Sequence, residues 1–176
     1  MEVIAESLWL LCLLLFVDGA TFSFATTPLL LHYGKLQHDP TLIALLGGAA
    51  SAAGSAIQFL VLRRLLASSH PYMRRFAPSR EKVESTLKSY PAASFAALAL
   101  ARATPLPDAP LKLVAAAAGY PVGRYALAIF LGALPYYFAL VIVGRKFKPP
   151  TWLLIAATVT IVLGVIVDRL RRRGRE

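Results

Sequence analysis

Apolar residues run in blocks along this chain, and proline, glycine and isolated charges break the blocks at intervals. Residues 8–17 are apolar but cover only half of the roughly 20 positions a helix needs to cross a hydrocarbon core. They run into Asp18 and Gly19 and then a second short arm around Pro28. The pattern predicts two half-helices over residues 5–33, folded as a re-entrant hairpin; a single tilted span carrying Asp18 is the alternative. Residues 41–62 form an apolar run of full length that ends at Arg63 and Arg64. Asp39 is placed to cap its first N–H groups, and Pro40 suits the first helical position. Residues 92–119 repeat the broken pattern, with two short apolar arms around Pro105, Pro107 and Pro110, and predict a second re-entrant hairpin. Residues 122–144 predict another full span, kinked at Pro135, with Tyr136, Tyr137 and Phe138 as an aromatic patch. A last span is expected over 152–167, before Asp168 and a basic tail at 169–176.

Composition turns this pattern into a class. With 57% hydrophobic residues, 16% charged residues and a mean hydropathy of +0.62, the chain is too apolar for an ordinary soluble domain. The expected fold is all-α: one integral membrane domain over residues 1–168, with two oppositely oriented re-entrant hairpins and about three full transmembrane helices. A formal charge of +10 on a soluble protein would point to nucleic acid. Here the cations fall between and after the apolar runs, which is the pattern of loops at an anionic lipid surface, and no nucleic-acid partner is expected.

Charge also orients the chain. No Lys or Arg precedes Lys35, so the N-terminus lacks the basic region of a secretory signal, is expected to be retained, and faces away from the cytoplasm. Residues 63–90 carry Arg63, Arg64, Arg74, Arg75, Arg80, Lys82 and Lys88 against Glu81 and Glu84, and are expected to form a cytoplasmic loop with a short surface helix over 79–90. With the second hairpin dipping from the cytoplasm and the tail cytoplasmic, the inside segments hold twelve Lys/Arg and the outside ones four: Lys35, Arg145, Lys146 and Lys148. The run 145–148 is a local exception to the rule that favours positive charge inside.

The candidate chemistry lies in the second hairpin. Arg102, Asp108 and Lys112 sit among prolines inside an apolar half of the chain, where each charge and each broken backbone bond needs a partner. Asp108 precedes Pro110 as a helix cap does, so capping and direct function both stand for it. Arg102 has three roles open to it: ligand contact, brace between hairpins, or a side chain that snorkels to the interface. Lys112 is expected at the interface. Gly47, Ser51 and Ser55 recur every four residues, as do Gly48, Ala52 and Ala56, a small-residue pattern for close helix packing within the chain or in a homo-oligomer, with a substrate path as the alternative. Cys12 reads as a packing residue. His32 and His38 lack the companions that a metal site needs, and no metal, cofactor or enzymatic constellation is expected. The orders Pro28, Gly34, Gly47 and Pro110, Gly119, Gly132 match as hairpin, glycine turn and span, which suggests an inverted repeat.

The run from Ala101 and Arg102 through Thr104, Pro105, Pro107 and Asp108, then Gly119, Gly132, Tyr136, Tyr137, Gly144 and Arg145, resembles the signature of the DedA superfamily. This superfamily is also called the VTT or SNARE-associated Golgi protein family, and the likeness is nearest its small YqaA-like bacterial members. The resemblance covers about residues 20–146. It implies two facing re-entrant hairpins in a bacterial inner membrane and translocation of lipids such as undecaprenyl phosphate or phospholipids, by flippase or scramblase action. Many members carry a glutamate shortly before the first hairpin's proline; here the nearby acid is Asp18, ten residues before Pro28. Where many members have a second arginine in the later hairpin, Lys112 is the nearest cation. A carrier of lipid phosphate needs a cation and free N–H groups at depth, and Arg102 offers a planar fork of donors for phosphate oxygens. The expected substrate site is therefore Arg102, Pro105, Pro107, Asp108 and Lys112, with Asp18 or Asp108 open to proton coupling and Gly34, Gly47, Gly119, Gly132 and Gly144 as structural glycines. Membrane lipids are the expected partners. A proton-coupled transporter of small ions or metabolites, and a non-transporting membrane scaffold, are the other two readings.

Overall fold

The computed structural model of the protein describes residues 7–21, 26–36, 38–68, 94–104, 109–150, 152–156 and 159–160. All regular structure among them is helical: α1 (Leu8–Ala20), α2 (Thr26–Lys35), α3 (Pro40–Ala67), α4 (Phe95–Ala103), α5 (Ala109–Ala117) and α6 (Val122–Phe147). Residues 152–156 and 159–160 are helical too. The rest of the expected 152–167 span, the expected surface helix at 79–90 and the basic tail lie outside the described residues.

Among the described residues, α3 and α6 are the two helices long and apolar enough to cross a membrane. Each presents large apolar side chains outward, among them Leu45, Ile57 and Val61 on α3 and Leu127, Leu131 and Val143 on α6. A helix with one packed face and an apolar outer face is adapted to lipid as its solvent. α3 starts as the sequence predicts: the Asp39 carboxylate accepts from the Thr41 N–H at 2.7 Å and the Leu42 N–H at 3.4 Å, with Pro40 following the cap. Those backbone hydrogen bonds hold the Asp39 carboxyl below its ordinary value, so the cap stays charged into mild acid and fades as the pH falls through that lowered value. At its other end α3 runs past Arg63 and Arg64 to Ala67, further than the apolar run. Both arginines are exposed there, and long side chains can reach water without ending the helix.

The two long helices run antiparallel. Ile43 near the start of α3 shares an apolar cluster with Val141 near the end of α6, while Phe59 near the end of α3 stacks on Tyr125 near the start of α6, ring centres 4.3 Å apart. The described residues of the stretch 5–33 lie in two helices, α1 and α2, packed on different partners. α1 runs along α3, with Leu15 against Gly47 and Gly19 against Ser51. α2 returns along α6, with Leu31 against Gly144, and Tyr33 near its end donates to the Ser7 carbonyl before α1. The second pair mirrors this from the opposite end. α4 runs along α6, with Ala99 against Gly132, and α5 returns along α3, where Ala115 and Ala116 pack with Phe59. Each pair thus lays its first arm on the long helix that follows it and its second arm on the other long helix, and α1 and α4 both end near the middle of α3.

The glycines separate into two uses. Gly119 is the turn glycine, at φ +69°, and closes α5 with bonds from Tyr120 N–H to Ala115 carbonyl at 2.9 Å and from Gly119 N–H to Ala116 carbonyl at 3.3 Å. Gly34, which the repeat reading made a turn, lies buried inside α2 against α6. The local counterpart of Gly132 is Gly54: both sit where a first-arm carbonyl, of Ala99 or of Phe16, presses on a long helix. The glycine spacing that suggested a repeat is not the spacing of these contacts, because close approach is set by where helices cross.

Candidate functional site

The ends of α1 and α4 and the start of α5 meet one polar face of α3. Ser51, Ser55 and Gln58 are spaced by four and three residues and therefore share a side of the helix. Ser51 and Gln58 stand two turns apart, about 10 Å along the axis.

Arg102 lies in the last turn of α4, 7% exposed. One terminal nitrogen, Nη2, donates to Ser51 Oγ at 2.5 Å and to the Tyr137 hydroxyl at 2.6 Å, so the guanidinium is clasped between the two long helices. Its carbon lies 5.7 Å from the Tyr137 ring centre. The cation is therefore held at mid-height with hydroxyl partners on both sides, and the snorkelling reading is set aside by this burial. Burial of an arginine is tolerated when its donors find acceptors, and Ser51 and Tyr137 supply two.

Lys112, expected at the interface, is instead buried at 6% exposure in α5. The return arm begins near mid-height, so its first turn is deep, and an early residue of that arm cannot reach the surface. Its Nζ donates to Gln58 Oε1, and the Gln58 amide nitrogen donates in turn to the Thr21 carbonyl that closes α1. Gln58 thus joins the end of α1 to α5, using its donor for the first and its acceptor for the second.

Asp18 sits in the last turn of α1, 7% exposed, where its carboxylate accepts from the Thr26 hydroxyl at the head of α2. It ties the two arms of the first hairpin together. Ser55 Oγ donates to the Gly19 carbonyl at 3.3 Å, and Thr27 and Tyr136 share a hydroxyl contact at 2.9 Å. Pro105, Pro107 and Asp108 lie outside the described residues. Of the expected glycines, Gly34 and Gly144 make the α2–α6 contact, Gly132 the α4–α6 contact and Gly47 an approach to Leu15; Gly119 lies away in its turn. His32 and His38 pack around Tyr33, at 5.9 and 6.3 Å between ring centres, and among the described residues no three His, Cys, Asp or Glu side chains gather as metal ligands. Cys12 is half-buried in α1.

Sequence reading missed Gln58, read Ser51 as part of a small-residue stripe and Tyr137 as part of an aromatic patch, and paired neither with Arg102. The signal was the polar spacing itself: a glutamine and two serines on one side of an otherwise apolar helix. Gln58→Leu removes the acceptor of Lys112 and the donor to Thr21 while keeping the side chain's bulk. It should lower stability by roughly 1–3 kcal/mol, read as a lower thermal midpoint in detergent. Gln58→Glu keeps an acceptor for Lys112 but places a second acceptor against the Thr21 carbonyl, so its midpoint should fall between those of Gln58→Leu and the unaltered protein.

Against known proteins, the VTT domain family model matches residues 12–146, which includes all six helices except the first residues of α1 and the last of α6. No curated protein and no solved structure matches the chain.

Proposed function

The chain belongs to the VTT domain family, also known as DedA, a family of membrane proteins associated with transport, and from that premise we propose that it carries a phosphate-bearing lipid between leaflets as a flippase or scramblase. Undecaprenyl phosphate and phospholipids are the substrate class. In this reading α1–α2 and α4–α5 are re-entrant hairpins entering a bacterial inner membrane from opposite leaflets, with the basic tail in the cytoplasm. The observation that carries it is Arg102, a buried guanidinium at mid-height between α3 and α6, held by hydroxyls that can exchange for phosphate oxygens. An arginine at the centre of a span disfavours insertion by about 3 kcal/mol. A brace between helices does not need such a group, since apolar or small residues fill that role at no comparable cost.

The site's chemistry fits a headgroup that moves in steps. Arg102 and Lys112 stand at two levels of the same α3 face, with Ser55 between their partners, so a phosphate leaving one cation meets hydroxyl and amide groups before the next. Protein reconstituted into vesicles should speed the exchange of a fluorescent phospholipid over protein-free vesicles, and should move fluorescent glucosylceramide, which has no phosphate, at least about tenfold more slowly. Equal rates for the two lipids, or no rate above protein-free vesicles, would overturn the reading. Buried Asp18 favours a second one, a proton-coupled transporter of small ions or metabolites, whose mark is uptake that collapses with the proton gradient and ignores the lipid headgroup.

A further inference from the structure

The run Arg145, Lys146 and Lys148 stands out against the positive-inside pattern, and the lipid site makes no use of it. The fold adds to it. α2 and α6 run parallel and touch backbone to backbone near their C-terminal ends: a Cβ on Gly34 would lie 3.1 Å from the Arg145 nitrogen, and one on Gly144 would lie 2.3 Å from the Leu31 carbonyl. Lys35, at the end of α2, is thereby brought beside the exposed Arg145, Lys146 and Lys148. The acid among the described residues at this end is Asp39, which caps α3 and also feels the charge of Arg145. Helix C-termini attract positive charge, but the effect falls off within the last turn, and Lys148 lies beyond α6. Arg145, Lys146 and Lys148 are all exposed within four residues, and such a run attracts an anionic plane.

Both tryptophans of the chain mark the same end. Trp9 opens α1, which begins beside the start of α3, and Trp152 follows the end of α6; they are 86% and 69% exposed, with Phe147 between them in character at 77%. Exposed tryptophan beside lysine and arginine is the arrangement that seats a protein at a headgroup boundary.

We propose that Lys35, Arg145, Lys146 and Lys148 form a cationic collar that binds the anionic headgroups of membrane lipids in the leaflet from which the first hairpin enters, and so enriches those lipids around this end of the protein. The collar concentrates phosphate-bearing lipids next to the α1–α2 hairpin. Its existence does not depend on whether the protein then moves them.

The tryptophans supply the test. In vesicles of mixed phosphatidylcholine and phosphatidylglycerol, bromine is placed on the chains of one lipid or the other at the same mole fraction, and tryptophan emission is recorded. Brominated phosphatidylglycerol should quench at least about twofold more than brominated phosphatidylcholine, and the difference should shrink in about 1 M salt. The variant K35Q/R145Q/K146Q/K148Q should quench equally with both lipids, while R63Q/R64Q at the opposite end should keep the preference. If the fourfold variant does not fold, K146Q/K148Q and the salt series on the unaltered protein carry the test. Equal quenching by the two lipids in the unaltered protein at low salt overturns the collar; so does a preference that the collar variants retain.

Discussion

Arg102→Ala is expected to slow phospholipid exchange in reconstituted vesicles by about tenfold to a hundredfold while leaving a folded, monodisperse protein. The size follows from losing a charge-assisted hydrogen bond to phosphate, worth about 1.5–3 kcal/mol, at the depth where the headgroup is least solvated. Substitution also removes a clasp, because Arg102 Nη2 joins Ser51 on α3 to Tyr137 on α6. The headgroup dependence separates the two roles. If Arg102 reads phosphate, the alanine variant loses its preference for phospholipid over glucosylceramide; if Arg102 only braces the helices, both rates fall together and the preference survives. Arg102→Lys should give an intermediate rate, since it keeps the charge but loses the planar fork. Tyr137→Phe serves as a control for the clasp, as it removes one acceptor and leaves the cation in place. Unchanged exchange in a folded Arg102→Ala protein would remove this residue from the mechanism.

Why Arg102 was visible in the sequence and Gln58 was not is a matter of contrast. A charge flanked by prolines inside an apolar stretch is costly wherever it lies, so Arg102 and Lys112 stood out before any partner was known. Ser51 and Tyr137 are ordinary residues in their own neighbourhoods, a small position in a small-residue stripe and one ring in an aromatic run. They become polar partners only when α4 brings a guanidinium between them. The long helices were legible from uninterrupted apolar length, and the start of α3 from Asp39 and Pro40. The depth of Lys112 was not, because it depends on where α5 lies along α3, a long-range packing property that the residues around Lys112 do not encode by themselves. The glycine spacing misled for the same reason: Gly34 and Gly119 occupy matching places in a linear pattern, yet one is pressed against a neighbouring helix and the other turns the chain.

That contact argument leads to the largest expected effect on stability. Gly132→Ala adds a Cβ that would lie 2.2 Å from the Ala99 carbonyl oxygen, and Gly54→Ala adds one 2.0 Å from the Phe16 carbonyl oxygen. Both obstructing atoms belong to helix backbone, so no side chain can rotate out of the way and whole helices must separate. Overpacking of this kind costs roughly 1–3 kcal/mol, and leucine at either position should exceed that range. Gly123 provides the comparison within the same helix as Gly132. Nothing lies within 4 Å of its added Cβ, so Gly123→Ala should be neutral or slightly stabilising through helix propensity alone. Thermal unfolding in detergent should therefore rank Gly54→Ala and Gly132→Ala well below the unaltered protein, with Gly123→Ala at or above it. The separation of α1 from α3, or of α4 from α6, also displaces the polar contacts at mid-height, since Gly54 lies between Ser51 and Gln58 on the chain and Ala99 lies one turn before Arg102. Exchange of phospholipid should fall with stability in the two close-packed variants and stay unchanged in Gly123→Ala. A Gly132→Ala protein as stable as the Gly123→Ala protein would mean that α4 does not press on α6 as described.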